Sequence, residues 1–433
     1  MTDTRIAYLN ARLLDPASGM DTKGALLIEN GRIADFGPHL FKGGAPSVSQ
    51  VVDCKGMCLA PGLIDMRVQL REPGEEHKET FDSASEAASA GGITTMVCLP
   101  NTNPIIDDES GVQYVARRAR DLKRTKIYCY GAITQNMEGS ELTEMGLLSE
   151  AGALAFTDGQ KAVASSKVMK RALSYSKAFD LLMVQHPEDP GLSDGGAMNQ
   201  GELASRLGLS GIPPQAEVMM IERDLRLVEM TGARYHVAHV STRLAVEAIR
   251  KAKAQGLPVT CDTAPHYFAL NETSVGEYRT FAKVSPPLRD ETDRRAIVEG
   301  LADGTIDAIA SDHAPHDEDS KRLPFAQAAA GVIGLETLLP ITLELYHNGH
   351  MSLLDALKKV TQGPADLLRL PSGRLKRGAP ADLFIFDTDK PRTLREENFR
   401  SKSKNSPFDG RPVQGEVLAT IVDGRLLFRG EGF

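Results

Sequence analysis

The sequence predicts an α/β protein: a (β/α)8 TIM barrel with a small composite β-sandwich domain formed by both chain ends. Three observations predict it. The middle of the chain alternates near-continuously apolar runs with segments of helical period, as parallel strands buried on both faces and their crossover helices should. About eight such units fall within roughly 300 residues, which suits a closed barrel better than an open doubly wound sheet. Both ends read instead as short strands punctuated by turns.

Taken in order, Ile6 to Leu9, Ala25 to Ile28 and Arg32 to Phe36 are strand-length runs, the last two hinged at Glu29-Asn30-Gly31. In the middle, the stretch Pro61 to Gly74 is expected to follow the first barrel strand. Thr94 to Leu99 is the next apolar run, followed by a helical segment from Gly111 to Leu122. Lys126 to Tyr130, Leu181 to Val184, Tyr235 to Val240, Val259 to Cys261 and Ile306 to Ala310 continue the rhythm. The charged run Asp317 to Arg322 reads as a mobile loop, either a plain solvated one or an active-site lid. Asp382 to Phe386 and Ala419 to Arg425 return to the strand-and-turn character of the start. These readings place the composite β domain at residues 1–58 plus 366–433 and the barrel at 59–365.

The chain of 433 residues is 41% hydrophobic and 25% charged, with 39 glycines and 24 prolines, the composition of a globular protein. Its net charge of −8, with signs interspersed, argues against nucleic acid or an anionic membrane as the main partner. No apolar run approaches the ~20 residues that span a bilayer. Met1-Thr2-Asp3-Thr4-Arg5 lacks the apolar core of a signal peptide, so a cytoplasmic location is expected. Cys54, Cys58, Cys98, Cys129 and Cys261 are scattered. The C-x3-C spacing of Cys54 and Cys58 has no second pair nearby to complete a metal site, and buried reduced thiols are the expected state.

In a barrel of this kind the reacting groups lie at the C-terminal ends of the strands. Polar residues expected there are Asn101, Asp158, His186, His239, His266 and the cluster Asp312-His313-Ala314-Pro315-His316. A lone histidine in a barrel is more often a satisfied core residue than a ligand. His186, His239 and Asp312, however, each end an apolar strand, so all three should converge on one mouth.

Several long motifs now add up. Pro61 to Gly74, Pro100-Asn101-Thr102-Asn103-Pro104, Glu202 to Leu209, Ala238-His239-Val240-Ser241-Thr242, Pro286-Pro287-Leu288-Arg289, Asp303 to His316 and Asn405-Ser406-Pro407-Phe408 stand in the order found in one family. The chain resembles the class I dihydroorotases of the amidohydrolase superfamily nearly end to end. These are zinc amidohydrolases that interconvert carbamoyl aspartate and dihydroorotate in pyrimidine synthesis.

The resemblance implies a set of metal ligands, and half of it is missing. His186, His239 and Asp312 (the family's base position) match. Arg67-Val68-Gln69 stands where the family has His-x-His, and Gly159 falls at the position of its bridging acid. Hydrolysing an amide ring at neutral pH calls for a metal-bound hydroxide, and zinc needs about three protein ligands to hold that water. Arginine stays protonated and has no lone pair to give, glutamine is a weak donor and glycine has no side chain. No cofactor is therefore expected. A charge argument adds that Arg67 should pair with Asp312, replacing the lost metal charge, unless it snorkels to solvent. Among the family's substrate contacts, Arg71, Asn101 and His316 remain, while Ser285 and Ala330 depart from the pattern.

Three functions follow. The first is a catalytically silent dihydroorotase homologue that acts as a structural partner of the aspartate carbamoyltransferase catalytic subunit, within a homo- or hetero-oligomer. The second is a hydrolase with one zinc ion on His186, His239 and Asp312, with Asp158 substituting for the bridging acid if its loop shifts by one residue. The third is a metal-free sensor that holds a small carboxylate through Arg71, Asn101 and His316.

Overall fold

The computed structural model describes residues 5–43, 47–431 and 433; the Met1 to Thr4 stretch used in the signal-peptide reading lies outside them. Eight parallel strand positions close into a barrel. Leu63–Val68, Ile93–Cys98 and Lys126–Cys129 pair in sequence. Phe156 then supplies a single bridge on each side, to Gly131 and Met183. Leu182–Gln185, Arg234–Val237, Val259–Thr263 and Ala308–Ile309 complete the round. Closure comes from a parallel bridge between Val68 and His313, with Gln69 N–H donating to the His313 carbonyl at 2.8 Å.

The strands Leu63–Val68, Ile93–Cys98 and Leu182–Gln185 are buried at every residue, which is why their sequences are mostly apolar, with Asp65 and Arg67 as buried charged exceptions in the first. Ile64, Met66, Val97, Leu99, Leu182, Val184, Ala238, Ala308 and Ala310 pack as one cluster across the barrel, making it a filled core rather than a pore. Between the strands run helices with side-chain N-caps. Thr80 caps Phe81–Ala90, Asp108 caps Glu109–Leu122 and Thr242 caps Arg243–Ala254, each satisfying an amide of the first turn.

The chain ends build a second core. Strands of both termini join in one eight-stranded sheet, in the order Arg425–Arg429, Pro412–Val422, Leu383–Thr393, Cys58–Pro61, Arg5–Asp15, Met20–Glu29 and Arg32–Gly37, with Gln50–Asp53 also paired to Arg5–Asp15. The sheet folds back on itself, and the turns at Gly31 and Gly424 meet. Leu13, Leu26, Ile28, Leu59, Leu383, Ile385, Ala419 and Ile421 pack together between its halves. Gly62 separates this sheet from the first barrel strand. A Cβ there would lie 2.2 Å from the Thr94 side chain, so only glycine fits. Lys126 ties the two parts together through Asp382 (2.7 Å) and Asp423 (2.8 Å).

One expectation fails. The run Asp317 to Arg322 is not a loop: Asp317 caps the short helix Glu318–Lys321. Lys321 is 2% exposed and donates to the carbonyls of Ala329 (2.7 Å) and Gly331 (3.0 Å). Carbonyl acceptors draw the ammonium inward, a link that charge density in the sequence cannot reveal. All five cysteines are free and buried. No helix among the described residues is long and apolar enough to cross a membrane.

Candidate active site

The barrel mouth gathers most of the residues singled out from the sequence. His186 follows Leu182–Gln185 directly, and His239 lies two residues past Arg234–Val237. Their rings meet, Nδ1 of His186 lying 3.0 Å from Nε2 of His239. His186 Nε2 is 3.5 Å from Glu188, so the proton on that nitrogen faces a carboxylate. In a neutral ring this leaves His186 Nδ1 as acceptor, and His239 Nε2 as donor to it. Burial, followed by the charge of Arg67, pushes the His239 pKa well below the ordinary histidine value.

Asp312 does not join this histidine pair; it pairs with Arg67, whose Nε donates to Oδ1 at 2.8 Å. The two side chains are only 3% and 10% exposed, so Arg67 does not snorkel to solvent. Arg67 Nη2 also donates to the Gly159 carbonyl at 3.2 Å. Burial raises the Asp312 pKa, and the guanidinium pulls against that shift. On its other side, Asp312 Oδ2 is 4.0 Å from His266 Nε2. Burial holds the His266 pKa down to about 3, so that ring is neutral. Arg71, His239 and Asp312 have φ of 64°, 40° and 52°. Left-handed backbone at non-glycine residues costs about 1–3 kcal/mol each and collects at functional sites.

Asp158 cannot slip into the bridging role. Its carboxylate accepts from the backbone N–H groups of Ile133 and Thr134, both at 2.9 Å, and from the Thr134 hydroxyl at 2.5 Å. Three donors aim it at the neighbouring loop. Gly159 has φ of 67°, a conformation that glycine adopts without strain.

The three retained substrate-contact positions separate into two groups. Arg71 donates to Pro315 O (3.1 Å) and Glu75 (3.0 Å), and its Nη2 lies 3.3 Å from His316 Nε2. His316 Nε2 also lies 2.9 Å from the Ala330 carbonyl. Burial, with Arg71 next in effect, lowers its pKa to about 3. Asn101 turns instead to Gln69, donating to Oε1 at 3.0 Å. Sequence reasoning missed Glu188, which Ser285 Oγ anchors at 2.9 Å. Its only signal was a position two residues beyond His186.

Among the described residues, no group of three or more His, Cys, Asp or Glu side chains could hold a metal ion. The contacts explain this: Arg67 takes Asp312, His186 and His239 take each other, and Asp158 is turned away. The binuclear zinc centre that the resemblance implies does not fit these residues, and the single-zinc set of His186, His239 and Asp312 fits no better.

Fold and mouth together define an amidohydrolase-type barrel, with its polar residues at the C-terminal strand ends. A family model described as dihydro-orotase-like matches residues 56–245, and one described as amidohydrolase family matches residues 286–428. A dihydroorotase of Anaplasma phagocytophilum is 50% identical over 98% of this chain and 96% of its own length. One from the Wolbachia of Drosophila simulans is 48% identical over 98% and 96%. The chain belongs to the dihydroorotase family. Among solved structures, the L-hydantoinase (dihydropyrimidinase) of Arthrobacter aurescens superposes with a TM-score of 0.87 at 26% identity, over 99% of this chain and 96% of that one. The dihydropyrimidinase of Brevibacillus agri shares the fold, with a TM-score of 0.85 at 22% identity and coverage of 99% and 96%.

Proposed function

We propose that this dihydroorotase-like protein of pyrimidine (UMP) biosynthesis does not open or close the ring itself, and serves in the cytoplasm as a structural partner of the aspartate carbamoyltransferase catalytic subunit. The observation that carries the reading is the Arg67–Asp312 ion pair inside the barrel. A guanidinium beside the carboxylate supplies the positive charge that a dication would bring, and it repels one. Without a metal-bound hydroxide, water at neutral pH is too weak an acid to furnish the nucleophile. The barrel is otherwise intact, as a scaffold requires.

A second reading has support of a different kind. Relatives near 50% identity are named dihydroorotase, which favours a working hydrolase.

Complementation separates the two. In cells lacking dihydroorotase, the silent protein gives no growth without added pyrimidine, and the purified chain carries no stoichiometric zinc. Growth, with bound zinc and ring opening of dihydroorotate, would overturn the proposal. Co-purification of a transferase subunit tests the partnership: the subunit should be retained, and a chain that elutes without it removes that part.

A further inference from the structure

Replacing metal ligands by Arg67 and Gln69 has left the mouth with hydrogen-bond donors that lack acceptors. Arg67 uses Nε and Nη2, while its Nη1 is buried with no partner. Gln69 accepts at Oε1 from Asn101, while its Nε2 is buried with no partner. The two residues are 2% and 1% exposed, too deep for bulk solvent to satisfy them. Unpaired donors at that depth are costly, and a cationic one especially so.

Contacts place both on one wall. Arg67 bonds the Gly159 carbonyl, a Cβ built on Gly159 would lie 3.5 Å from Asn101 Cβ, and Asn101 bonds Gln69. Gly159 presents no side chain to this wall; a Cβ there would touch Asn101 Cβ at 3.5 Å and Met137 Sδ at 3.6 Å. Arg71 is already held at Nε and Nη1 by Pro315 and Glu75, with its Nη2 facing His316 Nε2 at 3.3 Å.

We propose that the mouth has changed from a cation site into an anion site, in which Arg67 Nη1 and Gln69 Nε2 together hold a small oxyanion, of the carboxylate class. An oxygen pair bearing negative charge complements a guanidinium N–H and a carboxamide N–H at once. The inference rests on the reading that no metal occupies this mouth.

The test is thermal unfolding of the full chain with increasing sodium acetate, succinate or phosphate, against sodium chloride at equal ionic strength. Carboxylate or phosphate should raise Tm saturably, by mass action on the folded state. A rise with carboxylates alone marks an organic acid as the ligand source; an equal rise with phosphate marks a free inorganic oxyanion. Gln69→Glu should abolish the shift, and Gln69→Leu, which removes the donor without adding charge, should weaken binding at least tenfold. No saturable shift in a zinc-free protein overturns the anion site and leaves the non-hydrolytic reading standing. A shift that survives both substitutions also overturns it. Stoichiometric zinc in the purified protein would overturn the underlying reading instead.

Discussion

Thr134 grips Asp158 twice, through its backbone N–H at 2.9 Å and its hydroxyl at 2.5 Å. The one acid of the Phe-Thr-Asp-Gly stretch is thereby withheld from the barrel axis. Burial raises its pKa, and these donors oppose the rise. Thr134→Val should destabilise the fold by about 1–3 kcal/mol, the cost of leaving a buried acceptor short of a donor. Urea unfolding measures it, and metal content should not rise with the substitution. An increase in bound zinc would show that the freed Asp158 can reach the mouth.

Removing one partner of the central ion pair should hurt more. Arg67→Met leaves Asp312 buried without a counter-charge, at a cost of about 3–5 kcal/mol. Adding Asp312→Asn should recover much of that loss in a double-mutant cycle. Additive losses would mean that the pair contributes nothing as a pair.

Metal binding should return only when the donors return together. Arg67→His, Gln69→His and Gly159→Asp combined should give stoichiometric zinc by elemental analysis, and none of the three alone should. Space at position 159 permits the change, with the nearest atoms 3.5 Å or more from a new Cβ. Its φ of 67° makes the substitution mildly strained, although Asp tolerates this region better than most residues. Full zinc loading from any single substitution would refute this account of the loss.

Lys321 gives a pH signature. Burial, followed by the charge of Lys283, lowers its pKa from 10.5 to about 7. The folded protein therefore binds fewer protons than the unfolded chain between about pH 7 and 10.5, so this group makes stability rise with pH across that window. Below it, both states are protonated and the full penalty of burying the charge remains. Lys321→Met should flatten the rise, by a few kcal/mol at most across the window. An unchanged slope in denaturant melts at pH 7 and 10 would exclude the assignment.

The barrel was legible because parallel strands buried on both faces are mostly apolar. Thr94 to Leu99 and Leu181 to Val184 announced themselves for that reason. The fourth strand position did not, since Phe156 alone makes the bridges and one residue has no period. At the mouth, the inward turn of Arg67 followed from electrostatics: a buried Asp312 needs a cation. The partner of Asn101 did not follow, because a carboxamide bonds as readily to water, backbone or ligand as to Gln69. The burial of Lys321 was hidden too, its acceptors being backbone carbonyls that carry no residue identity.

The strand Cys58–Pro61 lies between Arg5–Asp15 on one side and Leu383–Thr393 on the other. During synthesis its outer edge therefore waits more than 300 positions for its neighbour, through the whole making of the barrel. Until then a row of unpaired amides and carbonyls stands open to any passing chain. On a ribosome this protein is safe only once its far end has emerged, so premature termination after the barrel should yield aggregates rather than a smaller working domain.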